Sequence, residues 1–207
     1  VTHTRGGDRS DDAGGREDAG DAEGSELVES LKALVDRFDS AVEAVVAPSR
    51  RHPVLDRVMY ALSEAGNHSI VWHSINLVQA GTTRDPVTRR AALRRSAIQV
   101  GEQALVNGPI KMVFRRSRPD HVNDHPHDLR VPVTSSFPSG HASAGFCAAM
   151  LLSADNHHDE VWFGLASAIS WSRVHVGVHH PSDIVGGAAI GLVLASVAAR
   201  LWPTPAR

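Results

Sequence analysis

The sequence predicts an all-α protein built as a bundle of five to six helices, with the chain crossing a membrane more than once. Three observations predict it. Residues 27–47 carry Leu27, Leu31, Leu34, Val35, Phe38, Val42 and Val45 at helical spacing. Residues 139–154 and 161–171 are apolar segments of helical length separated by the polar turn Asp155–Glu160. Residues 184–199 (IVGGAAIGLVLASVAA) run for sixteen residues without a charge, approaching the roughly 20 apolar residues that a membrane span needs.

The 207 residues suit one folded domain with a real core. With 21 Lys+Arg against 23 Asp+Glu, the chain lacks the basic excess of a nucleic-acid coat, so no nucleic-acid partner is expected. Its single cysteine, Cys147, excludes an intramolecular disulfide framework and a Cys-built zinc site, and its surroundings suit a packed thiol.

The charge is unevenly placed. Residues 1–26 hold three Arg and eight acids, are rich in Gly and Asp and have almost nothing to bury. They read as a disordered acidic tail, without the basic and apolar run of a cleavable signal. Residues 27–52 follow as the amphipathic helix and a linker, the helix ending at Pro48 and packing on the protein's own core or on a membrane surface.

Residues 53–203 form the main domain. Apolar pieces at 54–65 and 69–80 are split by Gly66-Asn67-His68. Residues 83–95 read as a polar connector bearing Arg84, Arg89, Arg90, Arg94 and Arg95. A helix over 96–114 delivers Lys111, and 115–138 is a loop rich in Arg, His, Asp and Pro. If successive helices alternate sides, the Arg connector and Arg200 fall on one side, as the positive-inside rule expects of a cytoplasmic face. Residues 66–68, 115–138 and 172–183 then share the other side. Trp162, Trp171 and Trp202 stand near helix ends, where a core role and an interfacial belt are both open. Gly186, Gly187, Ala188, Ala189 and Gly191 suit close helix packing.

The chemistry is concentrated on that second side. Lys111, Arg118 and Arg173 bring three fixed positive charges, a set that suits a phosphate dianion. Only two of the 21 basic residues are lysines, so composition does not explain Lys111. Pro138-Ser139-Gly140 opens a helix, whose free N–H groups favour an anion; Gly140 permits close approach and Ser139 adds a hydroxyl. His179 has Asp183 four residues on, within reach on one helical turn. A carboxylate on one ring nitrogen fixes the tautomer and leaves the other nitrogen free to attack phosphorus. His141 is then the proton donor for the leaving oxygen.

These residues, K-x6-R-P, P-S-G-H and S-R-x5-H-x3-D, fill all eleven fixed positions of a signature spanning Lys111 to Asp183. In this the chain resembles the type-2 phosphatidic acid phosphatase superfamily, which includes lipid phosphate phosphatases, bacterial class A acid phosphatases and vanadium haloperoxidases. The resemblance implies an all-helical bundle of the acid phosphatase/vanadium haloperoxidase type. It implies a phosphohistidine on His179, supported by Asp183, with His141 as general acid and Lys111, Arg118, Ser139, Gly140 and Arg173 on the phosphate. No cofactor and no metal is implied for the phosphatases. Asn107, the Ser-Ser-Phe before Pro138, and Gly66-Asn67-His68 with Trp72 resemble small bacterial membrane members, some of which act on polyprenyl-linked substrates.

The expected activity is hydrolysis of a lipid phosphate ester at the external face of the cell membrane, in envelope lipid or glycan precursor metabolism. The lipid and the oligomeric state stay open. A vanadate-dependent haloperoxidase and a non-catalytic phospholipid-binding protein are the alternatives. Around this set, His121, Asp124, His125, His127 and Asp128 read as a polar loop that could gate a headgroup rather than as a metal site. His175 and His180 read as structural. Arg115 and Arg116 are either solvated charges or contacts to substrate.

Overall fold

The computed structural model describes residues 11–119, 126, 127, 129 and 133–204, and among these all regular structure is helical. The helices are α1 (Asp11–Val46), α2 (Pro53–Ala65), α3 (Ile70–Thr82), α4 (Pro86–Leu105), the one-turn α5 (Lys111–Val113), α6 (Gly140–Asn156), α7 (Asp159–His175) and α8 (Pro181–Leu201).

α6 is the central helix. Its Gly/Ala/Ser-rich sequence is buried nearly all round, between α7 and α8 with α4 alongside. Small residues make this possible: a Cβ on Gly187 would lie 2.5 Å from the Ser139 carbonyl oxygen, and one on Gly191 would lie 2.2 Å from that of Ser143. With Ala195, these form the buried seam of α8. Ala189, by contrast, faces outward. Trp72, Leu152 and Ile169 anchor the apolar core beside α6, and Cys147 is fully buried, as expected of a packed thiol.

Several boundaries differ from the sequence reading. α1 begins at Asp11 rather than at residue 27; residues 1–10 of the expected tail lie outside the described residues. The segment read as a polar connector is the first half of α4. Asp85 caps it, its carboxylate accepting from the Val87 and Thr88 N–H groups at 3.1 and 3.0 Å, with Pro86 in the first turn. Arg94 and Arg95 are consequently buried. Arg95 pairs with Asp155 and donates to Asn76 Oδ1 at 2.8 Å, while Arg94 Nε donates to the Trp202 carbonyl at 2.6 Å. Arg84, Arg89, Arg90 and Arg200 remain exposed.

α1 overturns the expectation that its apolar face packs on the core. Leu27, Leu31, Leu34 and Phe38 are all more than 40 % exposed, whereas Asp39 is only 6 % exposed. Apart from Val46 at its C-terminal end, the buried contact of this helix is polar, and its Leu27–Phe38 stripe faces outward. Trp171 and Trp202 are also exposed, while Trp162 packs against the core. α8 is the one helix among the described residues long and apolar enough to cross a membrane, with a mean hydropathy of 2.0 and most of its surface turned outward.

Candidate active site

The three motif segments converge at one end of the bundle, each brought there by a local device. α4 does not run straight into α5. Val106–Ile110 forms a π-type turn, broken at Gly108 (φ −96°, ψ −108°) and containing Pro109. This re-aims the chain so that Lys111 points inward and is 7 % exposed. Ser139 caps α6, its hydroxyl oxygen facing the Ala142 N–H at 3.4 Å, which makes Gly140 the first residue of the helix. Pro138 therefore lies just before the cap rather than inside the first turn.

The third segment leaves α7 through Gly177, whose φ of 72° lies in the left-handed region that favours glycine. The reversal brings the N–H groups of Val178 and His179 back to the Arg173 carbonyl at 3.1 and 3.2 Å. α8 then starts with a reciprocal cap in which Asp183 Oδ2 accepts the His180 N–H at 2.8 Å. The same oxygen stands 3.4 Å from His179 Nδ1. The Ser139 N–H donates to the Asp183 carbonyl at 3.0 Å, tying the start of α6 to the start of α8.

Lys111, Gly140, His141 and His179 line one cavity of about 350 Å³, together with Gly66, Asn67, Gln103 and Asn107. His141 hydrogen-bonds to the Ser63 backbone and turns a buried, unpartnered Nε2 toward Gly66. Arg173 is fully buried and uses one terminal nitrogen on Ser63 Oγ, leaving Nε and Nη2 without protein partners. Buried donors in this condition need an acceptor, and an oxyanion supplies one.

Arg118 sits at the neighbouring mouth, a space of about 650 Å³ that it shares with Lys111 and Thr134. It is clipped to backbone carbonyls, donating to Val178 at 2.7 Å and to Thr134 at 3.1 Å. Burial and the nearby Arg118 and Arg173 charges lower the Lys111 pKa to about 8, against the pull of Asp183. Burial lowers that of His179 to about 3, outweighing its hydrogen bond to Asp183, with Arg173 and Arg118 adding to the shift. His179 is therefore neutral at pH 7, and its Nε2 carries the free lone pair when Nδ1 bears the proton.

Residues 66–68 also join this end. His68 and Ser69 both take positive φ (52° and 57°) at the cavity rim, a strained conformation for side-chain-bearing residues.

Other expectations resolve differently. His175 is structural, with its ring nitrogens 3.1 Å from Asp56 Oδ1 and 3.2 Å from Ser49 Oγ. His127 pairs with Asp56 at 3.4 Å and stacks edge-on with Tyr60; His121, Asp124, His125 and Asp128 lie outside the described residues. The sequence did not single out Asp39, Gln103 or Glu102. Gln103 donates to the Gly140 carbonyl at 3.3 Å, and Glu102 accepts from Ser143. No motif marks these residues; only their places in the fold do, Glu102 and Gln103 on α4 and Asp39 on α1.

Residues 97–207 match the PAP2 superfamily. The chain belongs to that superfamily. It is 34 % identical over 151 residues to the decaprenylphosphoryl-5-phosphoribose phosphatase of Mycolicibacterium smegmatis, covering 72 % of this chain and 80 % of the relative. To the phosphatidylglycerophosphatase B of Bacillus subtilis it is 28 % identical over 169 residues, covering 75 % of this chain and 80 % of the relative. The crystal structure of the transmembrane PAP2 type phosphatidylglycerolphosphate phosphatase from Bacillus subtilis superposes with a TM-score of 0.65. It has 25 % sequence identity and covers 84 % of this chain and 89 % of that one. The PAP2 protein described here is a phosphatase, a phosphoric monoester hydrolase of the membrane type.

Proposed function

We propose that this PAP2 protein hydrolyses a lipid phosphate monoester, polyprenyl-linked or phospholipid, without a metal and through a phosphohistidine. The observation that carries this reading is the cavity itself. A neutral His179 backed by Asp183, the His141 ring and the Lys111 ammonium face one space, and Arg173 has two unpartnered donors close by.

In this reading each residue has a step. Lys111, Arg118, Arg173, the Ser139 hydroxyl and the Gly140 N–H hold the phosphoryl oxygens. His179 Nε2 attacks phosphorus while Nδ1–H faces Asp183, which stabilises the imidazolium that forms. The P–O bond to the lipid breaks, and His141 gives a proton to the leaving alkoxide; burial and the Arg173 charge hold its pKa well below the ordinary histidine value, so it is the negative charge of the bound phosphate that keeps this proton on the ring. Water then attacks the phosphohistidine, His141 takes its proton, and inorganic phosphate departs with His179 restored. Donors aimed at the transition-state oxygens are worth about 3–4 kcal/mol each.

A multi-pass topology with the site outward is part of the same proposal. α8 has 21 residues, a length of about 30 Å, which is the thickness of a bilayer's hydrocarbon core. It begins at Pro181, two residues before Asp183, and ends beside the Arg94–Trp202 bond. Arg84, Arg89, Arg90 and Arg200 are exposed at that far end, consistent with a cytoplasmic face there and the site at the external face. The outward apolar residues of α3, α4 and α8, including Leu77, Leu93 and Val193, suit lipid contact.

The test is phosphate release by the purified protein from phosphatidate, phosphatidylglycerophosphate, undecaprenyl diphosphate and a polyprenylphosphoryl phosphoribose, each with and without EDTA. EDTA-resistant release from at least one lipid is expected. Release that EDTA abolishes and added metal restores would overturn the metal-free mechanism, and release from none would overturn the activity.

A further inference from the structure

We propose that Asp39 and Arg116 are positioning residues for the His179–Asp183 pair, so that α1 belongs to the catalytic machinery although it lies outside the family-matched segment. This rests on the reading of His179 as the nucleophile.

Arg116 bridges two carboxylates. Its Nη1 donates to Asp183 Oδ1 at 2.7 Å and to Ser182 Oγ at 2.6 Å, and its Nη2 donates to Asp39 Oδ2 at 2.6 Å. Asp39 in turn accepts the Ser182 N–H at 2.8 Å and the Ser182 hydroxyl at 2.7 Å. Asp183 thus divides its oxygens, Oδ2 serving His179 and the His180 N–H while Oδ1 is held by Arg116.

The division fixes the carboxylate plane, and with it the ring of His179. Only a planar fork spans two carboxylates and a hydroxyl at once, which explains arginine here. Asp39 is the counter-charge that keeps the fork aimed: its side chain is 9 % exposed, on a helix that otherwise turns its apolar residues outward. α1 is pinned a second time by Arg50, which pairs with Glu43 and donates to the Val174 and His175 carbonyls at 3.0 and 2.6 Å. The two attachments bracket the turn that carries His179. Between them, a hollow of about 300 Å³ lies behind His179, bounded by Asp39, Arg116 and Pro119. α1 therefore closes the back of the nucleophile.

Phosphate release from phosphatidate in mixed micelles, orthovanadate affinity and the ¹⁵N-histidine NMR spectrum are measured for the full chain and for D39A, D39N, R116M and D39A/R116M. Partners that orient a metal-bound imidazole are worth about 10–100-fold in activity; taking the same scale for this imidazole, kcat is expected to fall about 10-fold in D39A and about 100-fold in R116M. KM and vanadate affinity should stay within about twofold, and the double variant should be no slower than R116M alone. The Nδ1–H signal of His179 should broaden or move in all the variants. D39N, isosteric and uncharged, carries the test if D39A does not fold. A rise in KM and loss of vanadate affinity at unchanged kcat would make Arg116 a substrate ligand and overturn the proposal, as would multiplying effects or an unmoved His179 signal. The NMR arm reads the ring in the free protein, so it decides the question even if no panel lipid is turned over.

Discussion

Gly66 and His141 are in direct contact: a Cβ on residue 66 would lie 2.7 Å from Cδ2 of the imidazole and 2.6 Å from Ile169 Cγ2. The ring of the candidate general acid is thus seated against bare backbone at the end of α2. Gly66→Ala forces either the ring or Ile169 to move. Overpacking of this kind costs about 1–3 kcal/mol, so thermal unfolding should occur at a lower temperature and kcat should fall with little change in KM. Unchanged kcat in a folded G66A protein would detach the ring position from turnover.

The two-step chemistry separates the three central residues. His179→Ala removes the attacking nitrogen and is expected to abolish turnover and phosphoenzyme labelling together. Asp183→Asn leaves the nucleophile present with the wrong hydrogen-bond partner, for which a loss of about 10⁴ in kcat is the precedent. His141→Ala should lose about 10²–10⁴, with the deficit smaller for substrates whose leaving group needs no proton. Labelling with ³²P-substrate, quenched in alkali, distinguishes these outcomes.

Lys111 sets a prediction in pH. Its ammonium is the phosphate-binding form, and the free-enzyme pKa is about 8. The profile of kcat/KM should therefore fall as pH rises through about 8, and Lys111→Arg should move that limb to higher pH. Stability runs the other way. The unfolded chain keeps this proton up to the ordinary lysine value near 10.5, so between about 8 and 10.5 it binds more protons than the folded state, and the Lys111 contribution to stability rises with pH. Lys111→Met should accordingly raise the unfolding temperature at pH 7 while weakening binding of inorganic phosphate.

At Gly187 and Gly191 the α6–α8 seam has no room for a side chain. Gly191→Ala would place a Cβ 2.2 Å from the Ser143 carbonyl oxygen, a backbone atom that cannot swing away. The helices must separate, which should lower the unfolding temperature more than Gly164→Ala, at a position where nothing lies within 4 Å. Comparing the two melting curves checks it.

Much of this site was legible because its residues are local in sequence and chemically unusual. Lys111 stood out in a chain that otherwise favours arginine, and His179 and Asp183 share one turn. The apolar lengths of α6 and α8 followed from uninterrupted composition. What escaped was whatever depends on a partner far along the chain. Arg94 and Arg95 looked like solvent charges because Asp155 and Trp202, which hold them, are distant. The periodicity of α1 marks a helix, but periodicity gives only the apolar face. It says nothing of which face finds a partner, and here Asp39 did. The π-type turn before Lys111 leaves only a weak trace, Gly108-Pro109, within a stretch 96–114 that otherwise reads as a single helix.

The seam of Gly187 and Gly191 also bears on how such an enzyme could diversify. The two histidines are registered to each other by main chain resting on main chain, while the side chains of Asn67 and Thr134 line the surrounding space. Under the proposed function, substitutions at those two positions re-tune which headgroup is admitted without disturbing the proposed reacting nitrogens. Selectivity and reactivity are then uncoupled, and one scaffold can be adapted to a new lipid by changes that leave its chemistry intact.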